Sequence, residues 1–337
     1  MRLQSLIPTI PDDLVAALEA CGIRTDADLL FSGTPVDIIQ RLTPGVVSLA
    51  DLKTYIGLVA ESASAPGIRG DELYTEEIQR RRDYNLDITC GVDELDALVN
   101  GFDGGRVFEI SGDRGSGKTL LVLQIALRLL AAYKEASVLW MDTTGDFSVE
   151  RTSQIAQQLD GENSSAVLER LQVSLVLNID TARALLEDVE SSLTTNALRD
   201  PRVRLVIIDS ITSLLAPSLS AVSSYGHAIM TTFMQHLRNM ARSYYLTFLV
   251  VNNTSGSLPH NPMSVFSSTV RKPALGPSFT FLTDCTIWLA RHEDTTNAEA
   301  GSSIHVAEIF KSRPTRSRTW CTFKIHNRIL RSATVPE

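Results

Sequence analysis

Long apolar runs are missing from this 337-residue chain. None approaches the roughly 20 residues that a membrane-crossing helix needs, so no membrane partner is expected. The first residues, Met1 to Asp13, lack the apolar stretch of a secretory signal. Cysteine is scarce: Cys21, Cys90, Cys285 and Cys321 stand far apart, with neither metal-ligand spacing nor the density of a disulfide framework. Reduced thiols of a cytosolic or nuclear protein are expected. A strong positive charge is absent too. The net charge of −8 gives no overall attraction to nucleic acid and leaves any such contact to local basic patches. What is present, 44% hydrophobic and 21% charged residues, is the composition of a globular chain with room for one large domain and a small accessory one.

The pattern divides into three parts. Residues 1–60 read as a small, net acidic, all-α N-terminal domain. Asp12 and Asp13 open a helix with Leu14, Ala17, Leu18 and Cys21 at helical spacing, and Gly22 stops it. Asp26 to Leu30, Pro35 to Leu42 and Ser48 to Ala60 read as three further helices. The acidic balance favours a structural or protein-docking role over DNA contact. Residues 61–84 have linker composition, with Ser, Ala, Pro and Gly followed by alternating charges, and a short ordered piece around Leu73 and Tyr74. Residues 85–337 read as one α/β core. The runs Val107 to Ser111, Ser137 to Met141, Val203 to Ile208 and Thr247 to Val251 alternate with helical patterns at Leu120 to Ala132 and His227 to Arg242. That alternation predicts a mostly parallel central sheet covered by helices.

The chemistry concentrates in Gly112, Asp113, Arg114, Gly115, Ser116, Gly117, Lys118 and Thr119. These follow the order Gly, four residues, Gly-Lys-Ser/Thr, between an apolar strand and an amphipathic helix. Such a loop wraps its backbone N–H groups around phosphates, and the helix N-terminus adds positive potential. Lys118 supplies a point charge for the terminal phosphates of ATP, and the Thr119 hydroxyl can ligate Mg²⁺. About 90 residues on, Leu205 to Ile208 end in Asp209, as a buried parallel strand would deliver a carboxylate to the edge of the sheet beside that metal.

A third element points to a family. The order Gly91-Val-Asp-Glu-Leu-Asp96, phosphate loop, Asp142-Thr-Thr144-Gly-Asp-Phe147, Glu150-Arg151, Ile207-Ile208-Asp209-Ser210 and Val250-Val251-Asn252-Asn253 resembles the RecA-type recombinases across nearly the whole core. The helical module and linker ahead of it resemble the eukaryotic and archaeal branch. Residues Gly70 to Glu77, Lys272 to Gly276 and Ser278 to Phe281 are similar to the D-type paralogues of the eukaryotic recombinase. The resemblance implies a RecA-like P-loop ATPase core and a role in homologous recombination and double-strand break repair in the nucleus. It also implies action as a mediator in a hetero-oligomer with other recombinase paralogues, single-stranded or branched DNA as a partner, and slow DNA-dependent ATP hydrolysis.

Carried over residue by residue, the resemblance makes Lys118 and Asp209 the catalytic pair, with Thr119 and Asp209 at the metal. Arg151 falls where the family stacks an arginine on adenine; a solvated helix charge is the other reading. Thr144 occupies the place of a glutamate that orients the attacking water in the strand-exchange enzymes, and it has no carboxylate to offer. Asn253 lies near the family's γ-phosphate-sensing glutamine and is one methylene shorter. The two departures suggest that ATP is bound as a structural or switching ligand more than it is turned over, with Asp142 and Asp146 as substitutes for the missing acid. In the strand-exchange enzymes the linker also carries a Phe-x-x-Ala segment that adds a strand to the next subunit. None occurs between Glu61 and Tyr84, and Leu73 with Tyr74 offers a different anchor.

Two loops line the filament axis in the family. Here the first, Ala216 to Gly226, has no basic residue; the second, Thr254 to Gly276, has Arg271, Lys272 and His260. Lys311, Arg313, Arg316, Arg318, Lys324, Arg328 and Arg331 set against Glu308 and Glu337 make residues 301–337 net positive by five. That cluster reads as a track for phosphate backbones, as the solvated face of a terminal hairpin, or as a surface docking a neighbouring subunit. Trp320 reads as a core residue in preference to a platform for bases.

Overall fold

The computed structural model describes residues 2–64, 67–84, 86–195, 201–219, 224–292 and 301–333. The chain separates into two compact units, Met1–Glu77 and Ile78–Glu337.

In the first unit, a 3₁₀ turn at Leu3–Leu6 precedes α1 (Asp12–Ala20), α2 (Asp26–Phe31), α3 (Pro35–Arg41) and α4 (Leu49–Ala63). The starts are written locally. Thr25 and Thr34 accept from the backbone N–H three residues on, while Asp28 and Asp37 reach back, which makes two capping boxes. Ser48 caps α4 in the same way on the N–H of Asp51. Leu14, Leu18, Leu29, Ile38, Leu52 and Val59 close one small core. The four helices lie where helical spacing places them, with α4 running three residues further. The segment of linker composition is also helical: α5 (Gly70–Tyr84) has acids in its first turn, Arg81 and Arg82 in its last, and no buried residue. That charge order suits the helix dipole, so a helix forms there without a core to rest on.

The second unit opens with α6 (Asp93–Val99), β1 (Arg106–Gly112), α7 (Lys118–Ala132), β2 (Ala136–Asp142), α8 (Val149–Asp160), α9 (Ser164–Leu168), β3 (Leu171–Leu175) and α10 (Ile179–Thr195). It continues through β4 (Arg202–Asp209), α11 (Ile211–Leu215), α12 (Tyr225–Tyr244), β5 (Thr247–Asn252), the small hairpin β6 (Thr254–Gly256) and β7 (Arg271–Pro273), and α13 (Pro277–Leu282). It closes on β8 (Cys285–Arg291), β9 (Ser302–Ser312), β10 (Trp320–His326) and β11 (Ile329–Ser332). One sheet runs β11-β10-β9-β8-β1-β5-β4-β2-β3. The stretch from β8 to β3 is parallel, and β9 to β11 extend it antiparallel. Apolar residues of α6 to α9 pack on one face of the parallel sheet and those of α10 to α12 on the other. Covered on both sides, the central strands are continuous apolar runs, and β2 is buried at every position. All the parallel strands deliver their C-terminal ends to the same edge.

Candidate nucleotide site

At that edge β1 ends in Gly112, β2 in Asp142, β4 in Asp209 and β5 in Asn252, around a cleft of about 1000 Å³. The loop from Gly112 wraps into the N-terminus of α7. Two of its glycines are required. A Cβ on Gly112, whose φ is +153°, would sit 2.2 Å from the Leu289 carbonyl oxygen; one on Gly117, with φ +97°, would sit 2.9 Å from Ile325 Cδ1. The loop is therefore pressed from below by β8 and β10, and it can close tightly only without side chains. Lys118 Nζ bridges the loop, donating to the Gly112 oxygen at 2.6 Å and the Asp113 oxygen at 2.9 Å. The buried Ser116 hydroxyl has no hydrogen-bond partner among the described residues. Arg114 and Gly115 complete the rim.

Next to Lys118 in α7, Thr119 Oγ1 donates to Asp209 Oδ2 at 2.8 Å. Asp209 pairs directly with Asp142 in the β2–β4 register. The strand ends are laced by Thr143, whose hydroxyl donates to the Ser210 oxygen and accepts from the Ser210 N–H at 2.7 Å. Burial pushes the Asp209 carboxyl above its usual range; the Thr119 hydroxyl and Lys118 ammonium oppose this, and the Asp142 and Asp146 carboxylates add to it. Burial also draws the Lys118 ammonium down, against Asp209 and Asp113. A cleft crowded with acids, a hydroxyl among them, and a cationic loop beside it fit a divalent cation and a polyphosphate. Thr119 and Asp209 would hold Mg²⁺, and the loop amides with Lys118 would hold the phosphates of ATP.

Arg151 and Thr144 both line the cleft. Arg151 stands in the first turn of α8, which Ser148 caps on the Arg151 N–H. Thr144 lies in a turn held by Asp142, whose carboxylate accepts from the N–H groups of Thr144, Gly145 and Phe147 at 2.9–3.0 Å. Burial raises the Asp142 carboxyl, but those backbone donors outweigh it and hold the group below its usual range. Asp142 is thus engaged as a turn acceptor, while Asp146 is exposed on the cleft wall. Of the two asparagines after β5, Asn253 lines the cleft. Asn252 is buried, its amide donating to Glu109 Oε1 at 2.7 Å and to the Ala274 oxygen.

Several contributors escape any local spacing. Ser303, His305 and Ile325 reach the cleft from the antiparallel extension. His305 is 1% exposed, bonded to the Ser303 hydroxyl and stacked on Phe323, and burial lowers its imidazole to about 4. Asp113 accepts from the Thr254 hydroxyl at 2.7 Å and lies 3.7 Å from Arg271 Nε, which ties the phosphate loop to the base of the 254–276 loop.

The two expected DNA loops differ in what can be said of them. The first includes 220–223, outside the described residues. The second is anchored on the sheet extension: Glu308 accepts from Val265 N and Ser264 Oγ, and Arg318 donates to the Pro262 oxygen at 2.8 Å. In the C-terminal cluster, Lys311 caps α13 on the Thr280 and Thr283 oxygens, Arg313 pairs with Asp284, and Arg328 bonds Gln154. Trp320 departs from its core reading. It is 50% exposed, because the alternation of β10 aims Phe323 and Ile325 at the core and Trp320 away from it.

Residues 81–326 match the model of the Rad51 family. The DNA repair protein RAD51 homolog 4 of Bos taurus is 27% identical over 281 residues, 82% of this chain and 81% of that one. Its namesake in Mus musculus is 27% identical over 293 residues, 86% and 84% of the two chains. The DNA repair and recombination protein RadA of Metallosphaera sedula is 26% identical over 257 residues, 74% and 72%. Among solved structures, that of the RadB recombinase shares the fold, with a TM-score of 0.56 and 22% identity over 73% of this chain and all of that one.

Proposed function

Because the chain belongs to the Rad51 family, we propose that it is a Mg·ATP-binding recombinase paralogue. It serves homologous recombination and double-strand break repair in the nucleus as a mediator inside a hetero-oligomer. The names of its relatives, DNA repair proteins and a DNA repair and recombination protein, support the process. The nucleotide half of the reading is carried by one observation: a glycine-dependent loop with Lys118 lies beside the Thr119–Asp209 pair in a cleft large enough for ATP. When bound, Mg·ATP supplies a γ-phosphoryl group for transfer to water. This chain's own residues neutralise the phosphates with Lys118 and position the metal with Thr119 and Asp209, and Arg151 flanks the base. With a threonine at 144, Asp142 committed to its turn and Asp209 bonded to Thr119, the buried carboxylates of the cleft among the described residues are all engaged, so hydrolysis is slow.

The test of nucleotide binding is calorimetric titration with Mg·ATP. Lys118→Ala removes a charged contact worth about 1.5–3 kcal/mol, so affinity falls at least about tenfold; equal affinities would sink the reading. The same geometry favours a second reading, a scaffold whose ATP is not hydrolysed at all. Steady-state turnover with single-stranded DNA separates it from a slow ATPase.

A further inference from the structure

Strands β9, β10 and β11 have one face on the core, against α6 and α7. Their other face meets no helix in more than a few places. The period of two puts Trp320, Thr322 and Lys324 of β10 on that outer face, and the β10–β11 register sets Arg331 directly opposite Lys324.

Two features of this face oppose stability. An indole left 50% exposed forgoes burial. Two cations directly across a ladder repel, and neither Lys324 nor Arg331 has a carboxylate partner among the described residues. The indole is nevertheless held firmly. Phe266 meets it edge to face at 5.3 Å, and the loop bearing Phe266 is pinned by Glu308 and Arg318. An exposed aromatic that is fixed in place, with unpaired cations about 13 Å along the same face, is a device for bases and phosphates.

We infer that this face, Trp320 with Lys324 and Arg331, is a platform for single-stranded DNA, separate from the nucleotide cleft. One base stacks on the indole while the following phosphates relieve the Lys324–Arg331 repulsion. The choice of ligand rests on the proposed role in DNA repair. The rest of the molecule argues for a nucleic acid over an acidic protein surface, because a stacking ring has use for bases and none for carboxylates.

The protein carries its own reporter. Trp288 is 3% exposed and Trp140, 2% exposed, lines the nucleotide cleft, so with the cleft saturated by Mg·ATP a change in tryptophan emission on adding DNA is assigned to Trp320. Oligothymidylate titrated into the full chain is expected to quench the emission. Trp320→Leu should abolish the quench and weaken binding, read by anisotropy of a labelled oligonucleotide, about tenfold. Lys324→Gln with Arg331→Gln should make the slope of log affinity against log salt shallower by about 1.4. Unchanged affinity in both variants, or no quench in the wild type, overturns the platform. So does loss of binding confined to Arg271→Gln with Lys272→Gln, which would place the DNA on the 254–276 loop, or variants that weaken only assembly with partner subunits. The Lys118 titration judges the nucleotide reading independently of every one of these outcomes.

Discussion

Single residues decide whether the cleft turns ATP over. On the proposed reading Thr144 takes the place of the water-orienting carboxylate, and Asp142 beside it is occupied by the turn that follows β2. Asp146, exposed on the same wall, has no such commitment. Thr144→Glu is therefore expected to raise the single-turnover hydrolysis rate with Mg²⁺, and Asp146→Asn to lower the residual rate of the wild type. A fast wild type would show that the missing carboxylate is already supplied. His305 belongs to this scale as well. Burial lowers it from 6.5 to about 4, so the folded chain binds fewer protons than the unfolded one between those values. Stability is then complete above pH 6.5 and falls as pH drops toward 4, by about 3 kcal/mol at most. Thermal melts from pH 7.5 to 5 should show this loss, and His305→Phe, which keeps the ring stack on Phe323, should flatten it. A slope unchanged by the substitution would assign the acid sensitivity to other groups.

At the scale of elements, one side chain joins three of them. Arg170, just before β3, donates to the Leu130, Tyr133, Ala136 and Ala166 oxygens, three of them at or just past the C-terminal end of α7. A helix end left with free carbonyls needs such a partner, and a cation also suits its negative pole. Arg170→Met keeps the stem and removes every donor. It should lower the unfolding free energy by about 3 kcal/mol, read as a shifted denaturant midpoint at constant slope. A midpoint within error of wild type would mean water satisfies those carbonyls.

Nothing in the sequence marks Arg170, and the contrast shows what is legible. The helices of the first unit were legible in helical spacing and in short runs such as Asp26 to Leu30, because a helix repeats over three to four residues. The caps at Thr25, Thr34 and Ser48 came only with the structure. The strands β1, β2, β4 and β5 announced themselves as apolar runs, and the loop at 112–119 through a spacing that phosphate chemistry imposes. Helix α5 was hidden because its stabilisation lies in charge order, which also reads as a linker. Ser303 and His305 were hidden because a strand far along the chain carries them under the loop. Trp320 was misread because composition cannot say which face of a strand the core will cover.

Assembly belongs to the whole molecule, and the surface left exposed bears on it. Among the described residues the sheet ends at β3, whose outer edge meets no further strand and whose neighbourhood exposes Val173, Leu175 and Leu177. An apolar edge of this kind accepts a strand from another chain. The segment ahead of the core is not ready to supply that strand to a second copy. It is helical, and it holds Leu73 at 48% and Tyr74 at 68% exposure among acids. Self-addition would first have to unwind α5 and then bring an acidic rim onto a chain of net charge −8. Both terms disfavour a homopolymer and leave the β3 edge and the Tyr74 anchor to different partners. The pure protein should therefore be a monomer or small oligomer by light scattering, and should form a stable heteromer with other recombinase paralogues. Val173→Lys should weaken the heteromer on one side and Tyr74→Ala on the other, each leaving Mg·ATP affinity unchanged. Long filaments of the pure protein on single-stranded DNA with ATP would refute this, since they would show that the helix yields its strand after all.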